Sequence, residues 1–414
     1  MNDLLQQVTL LGDNIPWLKD VRATGKVIFE QNGIPNAKSE AWKYTKPNMF
    51  FSAPFVAQSQ GIDISYQPEL PFDCYKICFI NGVFTPASSQ LPQTIEVMPI
   101  IEAVMFKPEV REQIGKLTDI NRHPFAALNA AYFNEGAYIH LNGDLDKPLV
   151  LIYHFAGATA DEMYNIHNLI VLDGETGGEL IEYYDNAADI KSRYFINTVN
   201  EIYVDENARL NHYKVQNDAF KAVHIALQSA EVKENGIYKS FCLNKGADLA
   251  RNETQIKLIA ANARAQVNAI YAINGWAVAD TTTDIEHLFA DTHSSQLVKG
   301  VAGGQTKGVF QGKIHIAPDC IKSEGYQQHR ALLLSDEAEI DVKPELEIFA
   351  DDVKCTHGSA CGQIDAEQMF YLRSRGISEE SAKQMLVDAY LEEVIAKVDN
   401  EKIADWIKLL LKMS

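Results

Sequence analysis

Short strand-like runs separated by turn residues fill the middle of this 414-residue chain and leave little room for helices there. Between residues 149 and 349 apolar residues alternate cleanly in several runs, as in Val223, Ile225 and Leu227. Strands without helical crossovers exclude a doubly wound α/β sheet and leave a β-sandwich or a parallel β-helix. Because small and polar residues recur at the turns, the pattern slightly favours the β-helix.

The segments on either side of this strand-rich part show different periodicity. Residues 1–147 predict an N-terminal region of helices and mixed structure, residues 148–362 the β core, and residues 363–414 a small helical domain. Asp365, with Gln368 three residues later, is typical of a helix start. Ser378 predicts a second helix start, and the helix that follows has Met385 and Leu386 on its apolar side.

Composition narrows the classes of partner. The chain carries 37 basic and 56 acidic residues, a net charge of −19, and a pI near 5.0. We therefore expect no nucleic-acid or anionic-membrane binding. The sequence contains no apolar run long enough to span a bilayer, its N-terminus lacks a basic secretory segment, and its six cysteines do not form a disulfide framework. These features predict a cytoplasmic protein with reduced thiols.

Cys355 and His357 lie at the seam between the strand-rich part and the C-terminal helices. In a strand, side chains two positions apart share a face, with Cα atoms about 7 Å apart. Thiolate and imidazole are good ligands for zinc or iron. Two ligands are half a metal site at best, so a buried cysteine beside a solvated histidine remains the simpler interpretation.

Two other patterns suggest chemistry only weakly. The glycine-rich run GVAGGQTKGVFQGKIHI lacks the phosphate-loop spacing, because Lys307 stands where a glycine is needed and Ile314 where serine or threonine is needed. We therefore expect no bound nucleotide. Asp284 and Glu286 would share a strand face, which leaves open an independent β-helix enzyme that acts on glycans.

The stretch ADDVKCTHGSACGQIDAEQMFYLRSRGIS, residues 350–378, closely resembles the C-terminal signature of the SufB/SufD family of iron–sulfur cluster assembly scaffolds, and most resembles its SufD branch. The segments EAWKYT, FAALNAAYFNEG and ADTTTDIEHLFADTHSSQLVKGV are similar to other parts of that family. Together these stretches cover most of the chain. Cys361 departs from the pattern, which has a small aliphatic residue there. It is either a spare ligand or a small apolar filler, and the filler is the favoured interpretation.

The resemblance implies a mainly β fold, a right-handed parallel β-helix core flanked by N-terminal and C-terminal helical regions. It implies a non-catalytic scaffold that works with SufB and the ABC ATPase SufC in cluster assembly and iron acquisition, and a homodimer when isolated. It places a transient iron–sulfur cluster, shared with SufB, at Cys355 and His357, with His357 the stronger candidate ligand. It also implies ATPase docking on the C-terminal helices, at Phe370, Tyr371, Leu372, Arg373 and Arg375. A purely structural homo-oligomer is the remaining alternative.

Overall fold

The computed structural model describes residues 5–6, 10–36, 38–51, 54–57, 66, 68–85, 90–156, 161–187, 190 and 192–412. No helix in these ranges has the length and apolar character needed to cross a membrane.

The β core consists of strands that alternate between two sheets as the chain advances. The described strands are β1 (Leu5–Gln6), β2 (Phe55–Ala57), β3 (Tyr75–Ile80), β4 (Val83–Thr85), β5 (Ile95–Pro99), β6 (Ala137–Leu141), β7 (Leu149–Phe155), β8 (Glu162–Leu172), β9 (Gly177–Asn186), β10 (Tyr194–Val204), β11 (Arg209–Asp218), β12 (Ala222–Val232), β13 (Ile237–Gly246), β14 (Leu249–Leu258), β15 (Arg264–Ile273), β16 (Val278–His287), β17 (His293–Ala302), β18 (Lys307–Ile316), β19 (Glu324–Leu333), β20 (Glu339–Ile348) and β21 (Lys354–Gln363).

From β6 onward, even-numbered strands pair in parallel in one sheet and odd-numbered strands in the other. Each turn of the chain adds one strand to each sheet, and partner residues lie 26 positions apart at Val223 and Leu249 and 32 apart at Gly177 and Arg209. This is a parallel β-solenoid of about eight turns. The predicted parallel β-helix with flanking helices is confirmed, and the sandwich alternative is wrong.

The turns between strands explain the regular stacking. Asn207, Asn235 and Asn262 occupy equivalent positions in successive turns, and each has a φ between 55° and 59°. Asparagine tolerates this left-handed conformation better than most residues. The Asn262 amide donates to Asn235 and the Asn235 amide donates to Asn207, both at 3.1 Å. The asparagines thus supply the turn geometry and also join neighbouring turns.

The helices of the described residues lie outside the two sheets. They are α1 (Pro16–Asn32), α2 (Ile100–Phe106), α3 (Pro108–Gln113), α4 (Pro124–Tyr132), α5 (Ala366–Ser374), α6 (Glu379–Ile395) and α7 (Glu401–Lys412), with 3₁₀ turns at Glu40–Trp42 and Pro47–Met49. Aromatic residues of the N-terminal region, including Trp42 and Phe125, pack on the even-numbered sheet. Leu391, Val394 and Trp406 of the C-terminal helices pack on the odd-numbered sheet. The exact domain limits at residues 147 and 362 stay a prediction.

The last turn, formed by β20 and β21, ends the solenoid without a covering layer among the described residues. Each of these strands is hydrogen bonded along one edge only, β20 to β18 and β21 to β19. The outward face of β20 carries alternating charges that pair with residues of the preceding turn, such as Lys307 with Asp341 at 2.5 Å. Most of β21 is exposed on both faces. An unpaired strand edge of this kind is available for association.

Two interior histidines predict a pH dependence of folding. His287 and His329 are fully buried, and burial lowers the pKa of each to about 4 from an ordinary value of 6.5. Their contribution to the free energy of unfolding is therefore complete above pH 6.5 and is lost as the pH falls toward 4. Between these pKa values, each imidazole lowers the free energy of unfolding by up to about 1.4 kcal/mol for each unit that the pH falls.

We expect urea midpoints measured from pH 7 to 4.5 to fall steeply in the wild type and less steeply in His287→Gln. An identical slope in both proteins contradicts this explanation.

Candidate functional site

The candidate ligands lie on β21, at the open end of the solenoid. Cys355 pairs in register with Gly325 of β19, and His357 pairs with Gln327. Gly325 and Gln327 face the space between the sheets, since a Cβ at Gly325 would contact the Ile314 side chain of β18 at 3.1 Å. Register partners in parallel strands share a face. Cys355 and His357 therefore share the inward face of the last turn, as the sequence predicted.

Cys355 is the more protected of the two side chains. It packs against an apolar cluster of the last turns that includes Ile314, Ile316 and Cys320. Partial burial raises the pKa of its thiol, and a hydrogen bond with the Gly325 backbone opposes that rise. In the isolated chain Cys355 is thus a protonated thiol at neutral pH, and a metal ion that binds there must displace the proton.

The remainder of the same face is open. His357 and Cys361 are exposed. The opposite face of β21 is open as well, since no atom of the described residues lies within 4 Å of a Cβ built on Gly358 or Gly362. Cys361 therefore fills no core in this chain, and its interpretation as an apolar filler is wrong. It shares the inward face with His357 because the two are four positions apart on one strand. Partial burial raises the pKa of the Cys361 thiol.

The pair is not a complete metal site by itself. Among the described residues, no group of three or more His, Cys, Asp or Glu side chains lies close enough together to hold a metal ion. Structural zinc sites have four ligands, and iron–sulfur clusters are commonly held by four. Further ligands would have to come from another molecule that meets the open turn.

Helix α5 follows β21 directly and is almost entirely exposed. The Asp365 carboxylate accepts hydrogen bonds from the backbone N–H groups of Glu367 and Gln368, which confirms the predicted helix start. No residue of α5 is buried, and Phe370 and Tyr371 are 74% and 57% exposed. Exposed adjacent aromatic side chains on a short helix are typical of a protein-binding surface.

Two arginines lie beside these aromatic side chains. Arg375 lies over the Tyr371 ring at 5.2 Å, and Arg373 pairs with Glu379 of α6 at 2.8 Å. Leu372 is half-buried. The five residues that the resemblance assigns to ATPase docking are thus close together in the chain and mostly accessible; their role stays a prediction.

Helix α6 joins this surface to the solenoid next to the candidate ligands. Glu393 pairs with Lys299 of β17 at 2.6 Å and with Arg330 of β19 at 3.3 Å. Lys299, only 4% exposed, also donates to the Tyr390 backbone carbonyl. Because β19 pairs with β21, α6 contacts the strand next to the one that carries the candidate ligands. The sequence also predicted Met385 on the buried side of α6, but Met385 is 49% exposed.

The sequence did not predict the environment of the N-terminal segment EAWKYT. This segment crosses the outer face of the even-numbered sheet. It contacts four successive strands of that sheet. The Trp42 ring lies over the Arg251 guanidinium of β14 at 4.0 Å, and the Thr45 hydroxyl donates to Asp280 of β16. The Ala41 carbonyl accepts from Gln311 of β18 at 3.2 Å, and Glu40 pairs with Lys343 of β20 at 2.8 Å. No local pattern indicates these contacts, because their partners lie about 200 to 300 residues away.

Nor did the sequence single out the buried layer beneath His357. Gln327 and His329 of β19 face inward and are 3% and 0% exposed. Alternation along β19 could have placed both residues in the interior, but a pattern of single positions gives no reason to connect them with the site.

The fold and these residues define the class of protein: a parallel β-solenoid whose open last turn presents a Cys–x–His pair. Comparison with known families gives the particular assignment. Residues 155–390 match the SufBD core domain of SUF-system iron–sulfur cluster assembly, and residues 5–151 match the SufBD N-terminal region.

The chain is 30% identical over 378 residues to the iron–sulfur cluster assembly protein SufD of Escherichia coli, covering 90% of this chain and 87% of that protein. It is 30% identical over 383 residues to a SufBD family protein of Synechocystis, covering 88% and 84%. It is 24% identical to SufD of Bacillus subtilis, covering 94% and 91%. The chain belongs to the SufBD family of iron–sulfur cluster assembly proteins, and the predicted family is confirmed.

Proposed function

We propose that this chain is a non-catalytic scaffold subunit of a SUF complex, which acts with a SufB-like subunit and a SufC-like ABC ATPase in cluster assembly and iron acquisition. The cluster is the cargo of the complex and forms transiently where this chain meets the SufB-like subunit. His357 contributes one ligand and Cys355 lies beside it. The observation that carries the proposal is the open last turn, which presents half of a ligand set on a strand with a free edge.

The accessible aromatic surface of α5 supports the second part of the proposal. The ATPase subunit binds at Phe370 and Tyr371, with Leu372, Arg373 and Arg375 around them. A movement of α5 and α6 caused by ATP reaches β19 through Glu393 and its two cationic partners. This contact gives ATP binding a route to the strand next to Cys355 and His357.

A substitution in α5 tests the docking surface and the complex together. We expect Phe370→Ala to weaken ATPase binding by about 30-fold or more, the loss of a buried aromatic anchor of about 2 kcal/mol or more. Binding of the SufB-like subunit should not change. Folding should not change either, because Phe370 is 74% exposed. Titration calorimetry with the purified ATPase measures the first effect and size-exclusion chromatography the second.

The matched control is Phe106→Ala, since Phe106 is 73% exposed at the end of α2. It should leave both interactions unchanged. Equal ATPase affinity in wild type and Phe370→Ala removes α5 as the docking surface. If the wild-type chain binds neither partner, the scaffold proposal itself is wrong, and the glycan-enzyme and homo-oligomer alternatives return.

A further inference from the structure

Gln327 has an unusual position directly beneath His357. Its side chain is 3% exposed, yet neither its Oε1 nor its Nε2 atom has a hydrogen-bond partner in the structure. Each buried polar atom without a partner costs about 1–3 kcal/mol, and folded proteins rarely leave both ends of one amide unpaired. Gln327 is therefore expected to form hydrogen bonds when the site is in its working state.

The space around Gln327 is kept free by a glycine on the opposite sheet. A Cβ placed on Gly312 of β18 would lie 1.5 Å from Gln327 Nε2. Any other residue at position 312 would force the amide out of its place. The amide thus has a defined position between the sheets, next to the open turn.

The inward neighbours of Gln327 in its own sheet are Gln296 on one side and His357 on the other. Gln296 Oε1 accepts from the Thr283 hydroxyl at 2.6 Å, and Gln296 Nε2 has no hydrogen-bond partner in the described part of the chain. The next register position in this sheet is Val267 of β15, whose side chain is apolar, so the series of polar side chains ends at Gln296. Aligned amides in parallel strands about 4.8 Å apart can form a continuous row of hydrogen bonds.

We propose that Gln327 is a positioning residue for His357. In this arrangement the Gln327 Oε1 atom accepts a hydrogen bond from one ring N–H of His357, and Gln327 Nε2 donates to Gln296 Oε1. The second ring nitrogen of His357 then has a free lone pair directed toward the partner subunit. This inference rests on the proposed role of His357 as a ligand of iron.

The direction of the hydrogen bond decides whether His357 can bind metal. If Gln327 instead donated to His357, the single proton of the neutral ring would lie on the outer nitrogen, and that nitrogen could not bind iron. Metal-binding histidines commonly donate their other N–H to a carbonyl or carboxylate oxygen, and loss of that partner typically costs 10- to 100-fold in metal affinity. Gln327 Oε1 is a buried carbonyl oxygen in the adjacent register position.

The tautomer of His357 tests the hydrogen bond without any metal. In the chain labelled with ¹⁵N-histidine, long-range ¹H–¹⁵N correlation spectra at pH 8 identify the protonated nitrogen, and His357→Gln assigns the signal. We expect one tautomer in the wild type, a mixture in Gln327→Leu, and the wild-type tautomer again in Gln327→Glu, whose carboxylate also accepts. Gln328→Leu, one position away on the outward face, should not change the signal.

A tautomer mixture in the wild-type chain overturns the proposal, whatever the variants do. So does a single tautomer that remains in a folded Gln327→Leu. In complexes with the SufB-like and SufC-like subunits, Gln327→Leu should lower metal affinity by 10- to 100-fold while the complex still assembles. A single wild-type tautomer combined with full cluster formation in His357→Ala overturns the proposed function instead, because the hydrogen bond then exists without a ligand role.

Discussion

Replacement of His357 by alanine is expected to reduce the iron–sulfur cluster content of the assembled complex at least tenfold. The imidazole lies on the exposed inward face of the last turn, so its removal deletes the proposed ligand without opening a cavity. The complex should therefore assemble normally. Reconstitution with iron and sulfide, followed by visible absorption and iron determination per complex, measures the loss.

A second surface histidine provides the control. His315 lies on the outward face of β18, where it pairs with Glu347 at 3.1 Å. It is therefore not on the inward face that carries Cys355 and His357. His315→Ala should leave cluster content unchanged. An undiminished cluster in His357→Ala places the ligands on the partner subunit alone and leaves this chain a structural or ATPase-coupling subunit. Cys355→Ala in the same series shows whether the thiol is a ligand or only a neighbour.

The largest loss of folding stability is expected for Asp280→Ala, about 3–5 kcal/mol. Arg251 and Asp280 are both fully buried, and their side chains approach to 2.5 Å. Thr45 also donates to Asp280, which attaches the N-terminal segment to the sheet. Removal of the carboxylate leaves the buried Arg251 guanidinium with Glu253 as its remaining anionic partner. Urea unfolding followed by tryptophan fluorescence is a suitable measurement, because the Trp42 ring lies over Arg251.

Two comparisons distinguish the loss of the buried ion pair from a general loss of stability on any substitution in this sheet. Asp341 occupies the register position of Asp280 two strands farther along the sheet. Its pair with Lys307 is partly exposed, so Asp341→Ala should lower the free energy of unfolding by about 0–1 kcal/mol. The double variant Arg251→Met with Asp280→Leu should lose less stability than the two single variants added together. The reason is that it also removes the buried guanidinium, which Asp280→Ala leaves with one of its two anionic partners. Strict additivity contradicts the buried-pair explanation.

The strands and the helix starts were predictable because local residue patterns determine them. Alternating apolar residues and turn asparagines indicated the strands of the core, and Asp365 and Ser378 indicated the starts of α5 and α6. Periodicity alone could not choose between sandwich and β-helix, because both use short strands with small turns. That choice depended on the family signature around Cys355 and His357.

Prediction from the sequence failed where the environment of a side chain depends on residues in distant turns of the solenoid. The helical periodicity of apolar residues suggested that Met385 is buried, yet the sheet covers a different face of α6, and Met385 is exposed. Cys361 looked like a filler, yet among the described residues no further turn stacks on β21 to cover it. Gln327 and His357 are thirty positions apart and become neighbours only through strand register.

By itself, the sequence determined the strand-rich core, the C-terminal helices, the acidic charge and the Cys–x–His pair, since each depends on neighbouring residues or on totals. Only the tertiary structure decided which faces are covered and how the N-terminal segment attaches through Arg251 and Asp280. It also decided that the Cys–x–His pair lies on an open turn next to a buried amide. The physical reason is that parallel register brings together residues about thirty positions apart, and burial and hydrogen bonding are set by those distant neighbours.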